Sequence, residues 1–367
     1  MLRISHPNRP GRVLGAAQAA YRSARAARSL VPRYAIALCA IALGANVMSV
    51  GAKAEPLRVR IQYADPTTHL TPLIPLMPPG VLRHYGTSYV IDPIFIQGSS
   101  PSITALAANE LELAALGSQS FAIAVGEAKL DVRAVAQVIT VAAPGRPSGW
   151  YWARKDEIKR VEDLKGKVVA TNARGGTVHA GSLLYLKRHG LEEGRDYQTV
   201  ELRFPAMLPA LLGSKADLVF LVEPFDHDAE ANPKLVKLFS AAEAMGQVET
   251  GFWVGKTDWI AKNRSALVDM FEDMILFREW CYDPATSQRA REMLAKIGKR
   301  PVEQFAKVFT KDDTLERNID LHLDVANIQR NIRDLNEAGA MNLTIEAKNY
   351  VDMSLAQEAA QRVRPSR

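Results

Sequence analysis

Between Leu57 and Val222 the sequence switches repeatedly between two hydrophobic periods, and this constrains the fold more than any other feature. Leu57–Tyr63 (LRVRIQY) alternates apolar and polar residues, as a half-buried strand does. Further strands are expected at 89–96, 113–116, 132–138, 150–153, 167–171, 199–202 and 218–222. Helical spacing predicts helices between them, at 102–109, 177–189 and 206–212. Alternation of this kind implies an α/β fold with a mostly parallel sheet and helices on its faces. From Asp258 onward the pattern is helical alone. Leu267, Met270, Phe271, Met274, Phe277 and Cys281 recur at helical spacing, as do Leu321, Val325, Ile328, Ile332 and Leu335. Such stripes are core-facing helix surfaces. The 367 residues suffice for two domains of ordinary size.

A net charge of +6 would normally direct attention to nucleic acid or a membrane surface. The charge is not evenly spread. The first 54 residues hold eight of the 46 bases (Arg3, Arg9, Arg12, Arg22, Arg25, Arg28, Arg33 and Lys53) and no acid. The other 38 bases face 40 acids, a net −2, so no nucleic-acid partner is expected. Within the basic segment, residues 34–50 (YAIALCAIALGANVMSV) form a short apolar run, and Ala52-Lys53-Ala54 follows. A positive segment, an apolar stretch and an A-x-A site make a secretory signal peptide. Cleavage is expected after Ala54 and export to the periplasm; the alternative is an uncleaved membrane anchor. Cleavage would leave Cys281, in an apolar helical pattern, as the only cysteine. That excludes an intramolecular disulfide.

Ligands of α/β sheets bind at the carboxyl ends of strands. That rule singles out Gly98-Ser99-Ser100, Gly117-Ser118-Gln119, Gly175-Gly176-Thr177 and Glu223-Pro224-Phe225. The third loop joins an apolar strand to a helix. It is either a tight turn needing positive φ or a turn whose free N–H groups also hold an anion. It lacks the lysine of G-x-x-x-x-G-K-[ST] and the third glycine of G-x-G-x-x-G, so no nucleotide cofactor is expected. The histidines after residue 54 show no H-x-x-x-H or H-E-x-x-H spacing, so no metal is expected either. No G-x-S-x-G elbow marks a hydrolase, and no catalytic residue is assigned. Asp226-His227-Asp228 reads as a solvated helix start. Glu223 follows a continuous apolar strand and either pairs with a ligand amine or caps a helix. Trp150, Tyr151 and Trp152 lie together, and alternation puts Tyr151 on the face opposite both tryptophans.

Two stretches echo each other at an offset of 105. "ITALAANELELAALGSQSF" (103–121) matches "LPALLGSKADLVFLVEPF" (208–225), with Ala105-Leu106 over Ala210-Leu211 and Glu112-Leu113 over Asp217-Leu218. Each reads helix, turn, acid, apolar strand, then polar residues at a new helix. Two similar α/β halves facing one cleft would result.

Three segments carry a family resemblance. They are "GSSPSITALAANELELAALGSQSFAIAVGEAKLDVRAVAQ" (98–137), "RKDEIKRVEDLKGKVVATNARGG" (154–176) and "ALLGSKADLVFLVEPF" (210–225). From about Leu57 to Pro284 the chain resembles periplasmic solute-binding proteins of the nitrate/sulfonate/taurine group of ABC importers, whose fold thiamine-pyrimidine-binding relatives share. The resemblance implies a type II two-lobe periplasmic binding protein with mixed sheets in each lobe and a helical C-terminal region. It implies lobe 1 over 55–149, lobe 2 over 150–249, a helical return to lobe 1 over 250–340 and a C-terminal helical tail over 341–367. It also implies capture of a small anionic or zwitterionic solute by a monomer, and delivery to a membrane permease driven by a separate ATPase. Ser99, Ser100, Ser118, Gln119, Gly176, Thr177 and Glu223 are the ligand-binding residues carried over. Enzymes on the same fold, thiamine-pyrimidine synthase-like or lyase, are the alternative, and the synthases' cysteine-rich motif is absent here. One segment departs from the family: 67–91 holds Pro72, Pro75, Pro78 and Pro79 where a long amphipathic helix is usual.

Overall fold

The computed structural model describes residues 55–143 and 149–364. The expected leader and its cut after Ala54 lie outside the described residues. Ten strands are present among the described residues: β1 Leu57–Tyr63, β2 Tyr89–Phe95, β3 Ala114–Leu116, β4 Val132–Val141, β5 Trp150–Arg154, β6 Val168–Thr171, β7 Gln198–Glu201, β8 Leu218–Leu221, β9 Leu235–Ser240 and β10 Val248–Lys256. Between them run α1 Pro66–His69, α2 Ser99–Ala107, α3 Ser118–Gly126, α4 Thr177–Arg188, α5 Phe204–Leu212, α6 His227–Glu230 and α7 Ala241–Met245. After β10 come α8 Thr257–Lys262, α9 Arg264–Tyr282, α10 Ser287–Gly298, α11 Val325–Glu337 and α12 Ser354–Val363.

The strands form two lobes of the same topology. In the first, β1 pairs with β2, an isolated bridge joins Ile61 of β1 to Leu113 beside β3, and β10 lies between β3 and β4. The order is β2-β1-β3-β10-β4. In the second lobe it is β7-β6-β8-β5-β9. Each sheet thus reads second, first, third, inserted strand, fourth. The inserted strands, β10 and β5, run antiparallel to both neighbours. The sheets are therefore mixed rather than mostly parallel, and β9 and β10 are strands that local patterning did not disclose. α2 begins at Ser99 rather than 102, since Pro101 falls in its first turn, where a missing N–H costs nothing.

The repeat at offset 105 holds hydrogen bond for hydrogen bond. Asn109 and Ser214, both left-handed at φ +58° and +55°, end α2 and α5. Glu110 N–H then donates to Ala105 O, and Lys215 N–H to Ala210 O. Glu112 N–H donates to Arg60 O while Arg60 N–H donates back to the Glu112 carboxylate. Asp217 and Val168 make the same reciprocal pair. In each lobe an acid thus closes the corner between the first and third strands.

The proline-bearing segment forms no long helix. Asp65 caps the four-residue α1, with Pro66 at its first position, Leu70 turns left-handed, and a 3-10 turn follows over Thr71–Leu76. The chain then docks on α9, where buried Asp273 accepts N–H groups from Arg83, His84 and Tyr85 and the Tyr89 hydroxyl. The α9 stripe is buried throughout, Cys281 included. In α11, Ile328, Ile332 and Leu335 are buried, while Leu321 precedes the helix that Asp324 caps. No helix among the described residues is long and apolar enough to cross a membrane.

Candidate ligand-binding site

β1, β3, β6 and β8 end at one cleft, and α2, α3 and α4 start there from Gly98, Gly117 and Gly176, each without a side-chain cap. Their first-turn N–H groups therefore meet no acceptor from a capping side chain. The Gly175 turn needs φ +72°, which glycine adopts freely. Its N–H donates to His179 Nδ1 at 3.1 Å, and His179 Nε2 lies 3.1 Å from Glu193. Burial lowers the pKa of His179, favouring the neutral acceptor this bond requires.

The lobes touch through these loops. Ser100 Oγ donates to Arg174 O at 2.8 Å, and Ser120 Oγ donates to Gly175 O at 2.7 Å. A Cβ added to Gly98 would lie 2.4 Å from Ala173 Cβ, and one added to Gly117 would lie 2.4 Å from Thr177 Oγ1. Between the lobes remains a cavity of about 100 Å³. The first lobe supplies Gln62, Asp65, His69, Ser99 and Thr250, the second Asn172, Gly176, Thr177, Phe204 and Phe220. Asn172 Oδ1 is shut from solvent there without a hydrogen-bond partner. Burial lowers the pKa of His69, whose ring sits 6.1 Å from that of Trp253.

Three of the seven residues carried over, Ser99, Gly176 and Thr177, line this cavity together. Four lie elsewhere. Ser100 bridges the lobes. Ser118 is buried, its hydroxyl donating to Asn331 of α11 at 3.3 Å. Gln119 lines a separate recess with His179 and Glu193. Glu223 faces a charged cavity of about 640 Å³ behind the cleft, with Asp226, Lys237, Lys307 and Asp313. Burial, then the charge of Asp226, pushes its carboxyl up to about 7. Sequence reasoning missed Asp65, His69 and Asn172; only Asp65-Pro66, a cap followed by proline, carried a local signal. Among the described residues no three His, Cys, Asp or Glu side chains are placed to hold a metal. The aromatic run divides as alternation requires. Tyr151 is buried against Phe239, ring centres 4.2 Å apart, while Trp150 and Trp152 share the Lys237 ammonium at 5.1 and 5.2 Å.

Residues 92–272, which span both lobes and this cleft, match the family model described as NMT1/THI5 like. The chain carries an NMT1/THI5-like domain. Solved structures share its fold. The alkanesulfonate-binding protein SsuA from Xanthomonas axonopodis pv. citri, bound to MOPS, aligns at TM-score 0.65 and 16% identity over 82% of this chain and 100% of its own. The periplasmic nitrate-binding protein NrtA from Synechocystis PCC 6803 aligns at TM-score 0.63 and 14% identity, over 85% and 90%. The desulfurization enzyme DSZB aligns at TM-score 0.58 and 12% identity, over 84% and 100%. At such identities these likenesses establish the fold of the NMT1/THI5-like domain, a two-lobe periplasmic binding protein fold. No curated protein sequence matches the chain.

Proposed function

We propose that the protein is the solute-binding component of an ABC importer. It captures a small anionic or zwitterionic solute of the sulfonate, nitrate or taurine kind between its lobes. It then hands the solute, unchanged, to a permease coupled to a separate ATPase. In this reading the chain is exported, its leader cut after Ala54, and works as a monomer. The lobe crossings near Gly149 and near Thr250 form its hinge.

The observation that carries the reading is the cavity walled by both lobes at the uncapped starts of α2 and α4. Backbone N–H groups at Ser99 and Thr177 would hold an oxyanion there through charge-assisted hydrogen bonds. A solute touching both lobes binds the closed arrangement better than the open one, and that difference drives closure. Fold neighbours that bind sulfonate and nitrate support the same class of solute. The alternative, an enzyme on this fold, has DSZB as its precedent. Cys281, the only cysteine among the described residues, lies buried in α9 away from the cavity, and burial raises its thiol pKa.

Calorimetric titration of the purified protein with methanesulfonate, nitrate, taurine and acetate tests the proposal, with mass spectrometry of the recovered compound. We expect saturable binding of at least one, a melting temperature that rises with its concentration, and recovery of the compound intact. Thr177→Ala should weaken that binding without lowering the melting temperature of the free protein. A chemically altered compound would establish the enzymatic alternative instead.

A further inference from the structure

A second cavity, of about 540 Å³, opens outward from the cleft and shares Ala64, Asp65 and Phe204 with the inner one. Its chemistry differs from that of every other recess around the site. Phe95 of β2 stands 48% exposed at its edge, one of three large apolar side chains so exposed among the described residues. Arg203 reaches across from the other lobe, its guanidinium 5.9 Å from the Phe95 ring centre. Opposite, Phe204 stacks on Phe225 at 5.8 Å, and the Arg300 guanidinium lies 4.6 Å from the Phe225 centre. Arg300 donates to Gln304 Oε1 at 2.9 Å and approaches Pro224 O at 3.5 Å.

Charge decides what such a space accepts. Arg203, Lys299 and Arg300 line it, and none of the three forms an ion pair among the described residues. The one acid in the wall, Asp65, is engaged: Oδ1 accepts the N–H groups of Thr67 and Thr68, and Oδ2 accepts the Thr68 hydroxyl. The space is thus cationic and walled by aromatic rings. The charged cavity behind the cleft is the reverse, with Glu223, Asp226, Glu230, Glu303 and Asp312 among its lining. Arg203 lies on the Phe95 face by cation–π attraction, and Arg300 on the Phe225 face by that attraction and its Gln304 hydrogen bond, each weaker than a bidentate pair with an acid group. Both arginines can make that exchange.

We propose that the outer space is a subsite for an aromatic acid. A planar ring carrying a carboxylate or sulfonate would stack among Phe95, Phe204 and Phe225, with its acid group on Arg203 and Arg300. This rests on the solute-binding reading and narrows its solute from small acids in general to arene acids. The inner cavity then receives the far edge of the ring or its second substituent.

Calorimetric titration with two matched pairs, methanesulfonate against benzenesulfonate and acetate against benzoate, tests the assignment, with benzyl alcohol as uncharged control. Each aromatic acid should bind at least about tenfold more tightly than its methyl counterpart. R203Q and R300Q should each weaken benzenesulfonate by about tenfold and leave methanesulfonate unchanged. Arg203 is exposed, so R203Q should retain the parent melting temperature; its retention certifies the comparison. Methyl acids binding as tightly as aromatic ones would overturn the subsite and leave the solute-binding reading standing. Benzyl alcohol binding as tightly as benzenesulfonate would overturn the role of charge. Failure of all four acids would overturn the subsite, and failure of nitrate and taurine as well would overturn the solute-binding reading.

Discussion

Glu249 illustrates what single residues contribute here. It sits in β10 at the lobe crossing, 2% exposed; Oε1 accepts Asp324 N–H at 3.3 Å and Oε2 has no partner. Burial, its largest influence, pushes the carboxyl up to about 7, well above its ordinary 4.5. Between those values the folded protein holds a proton that the unfolded chain releases, so stability falls as pH rises through about 7. The difference between the two limits is on the order of 3 kcal/mol. Glu223 shifts in the same direction to the same value. Buried His69 and His179, whose pKa values are lowered from 6.5, oppose this trend at lower pH, so melting temperatures should decline from pH 6.5 to pH 8. Glu249→Gln should raise the value at pH 8 and flatten part of the decline, with the Glu223 share persisting. An unchanged slope in that variant would mean Glu249 titrates normally.

The repeated corner shows how paired elements are held. Glu112 and Asp217, each with a side chain 14% exposed, accept the first-strand N–H in their own lobe and pair with an arginine, Arg60 or Arg154. Hydrogen bonds to charged groups typically contribute about 1.5–3 kcal/mol. Glu112→Ala and Asp217→Ala should each lower the urea unfolding free energy by about that amount, in matched fashion. A loss below about 0.5 kcal/mol in either would mark that corner as ornamental. The repeated unit was legible in the sequence because helix end, turn, acid and strand are adjacent, but its closure on the first strand, 52 positions from Glu112 and 49 from Asp217, was not. β10 was not legible. It is buried on both faces, so it shows no period-two alternation, and its partners β3 and β4 lie more than a hundred residues earlier.

At the scale of the whole molecule, the loops at Gly98, Gly117 and Gly176 were recognisable as glycine followed by small polar residues. Their separate duties were not. A serine after a helix-starting glycine looks the same whether it faces a cavity (Ser99), the opposite lobe (Ser100) or a helix 213 positions away (Ser118). Only assembly of both lobes separates these roles. Closure has a direct test in Gly117. Its φ of −91° and ψ of 174° suit any residue, but an added Cβ would lie 2.4 Å from Thr177 Oγ1 of the other lobe and 3.1 Å from Thr250 O of its own. The tighter contact is the one between lobes, so Gly117→Ala should lower the melting temperature only slightly while holding the lobes apart, visible as a larger radius of gyration in X-ray scattering with saturating solute. Affinity should fall about tenfold for each ~1.4 kcal/mol of strain added to the closed arrangement. Unaltered scattering and affinity would show that the lobes close without this contact.

The placement of β10 also governs the order in which the molecule can be assembled. The second sheet is made from one continuous stretch, Trp150 to Ser240, whereas the first lacks an interior strand, the one joining β3 to β4, until Val248–Lys256 arrives. A chain emerging from its N-terminus therefore presents β1 to β4 first but cannot finish them. The half encoded later is the half that can be completed earlier, and the beginning of the protein waits, unzipped, for a strand synthesised after its neighbour is done.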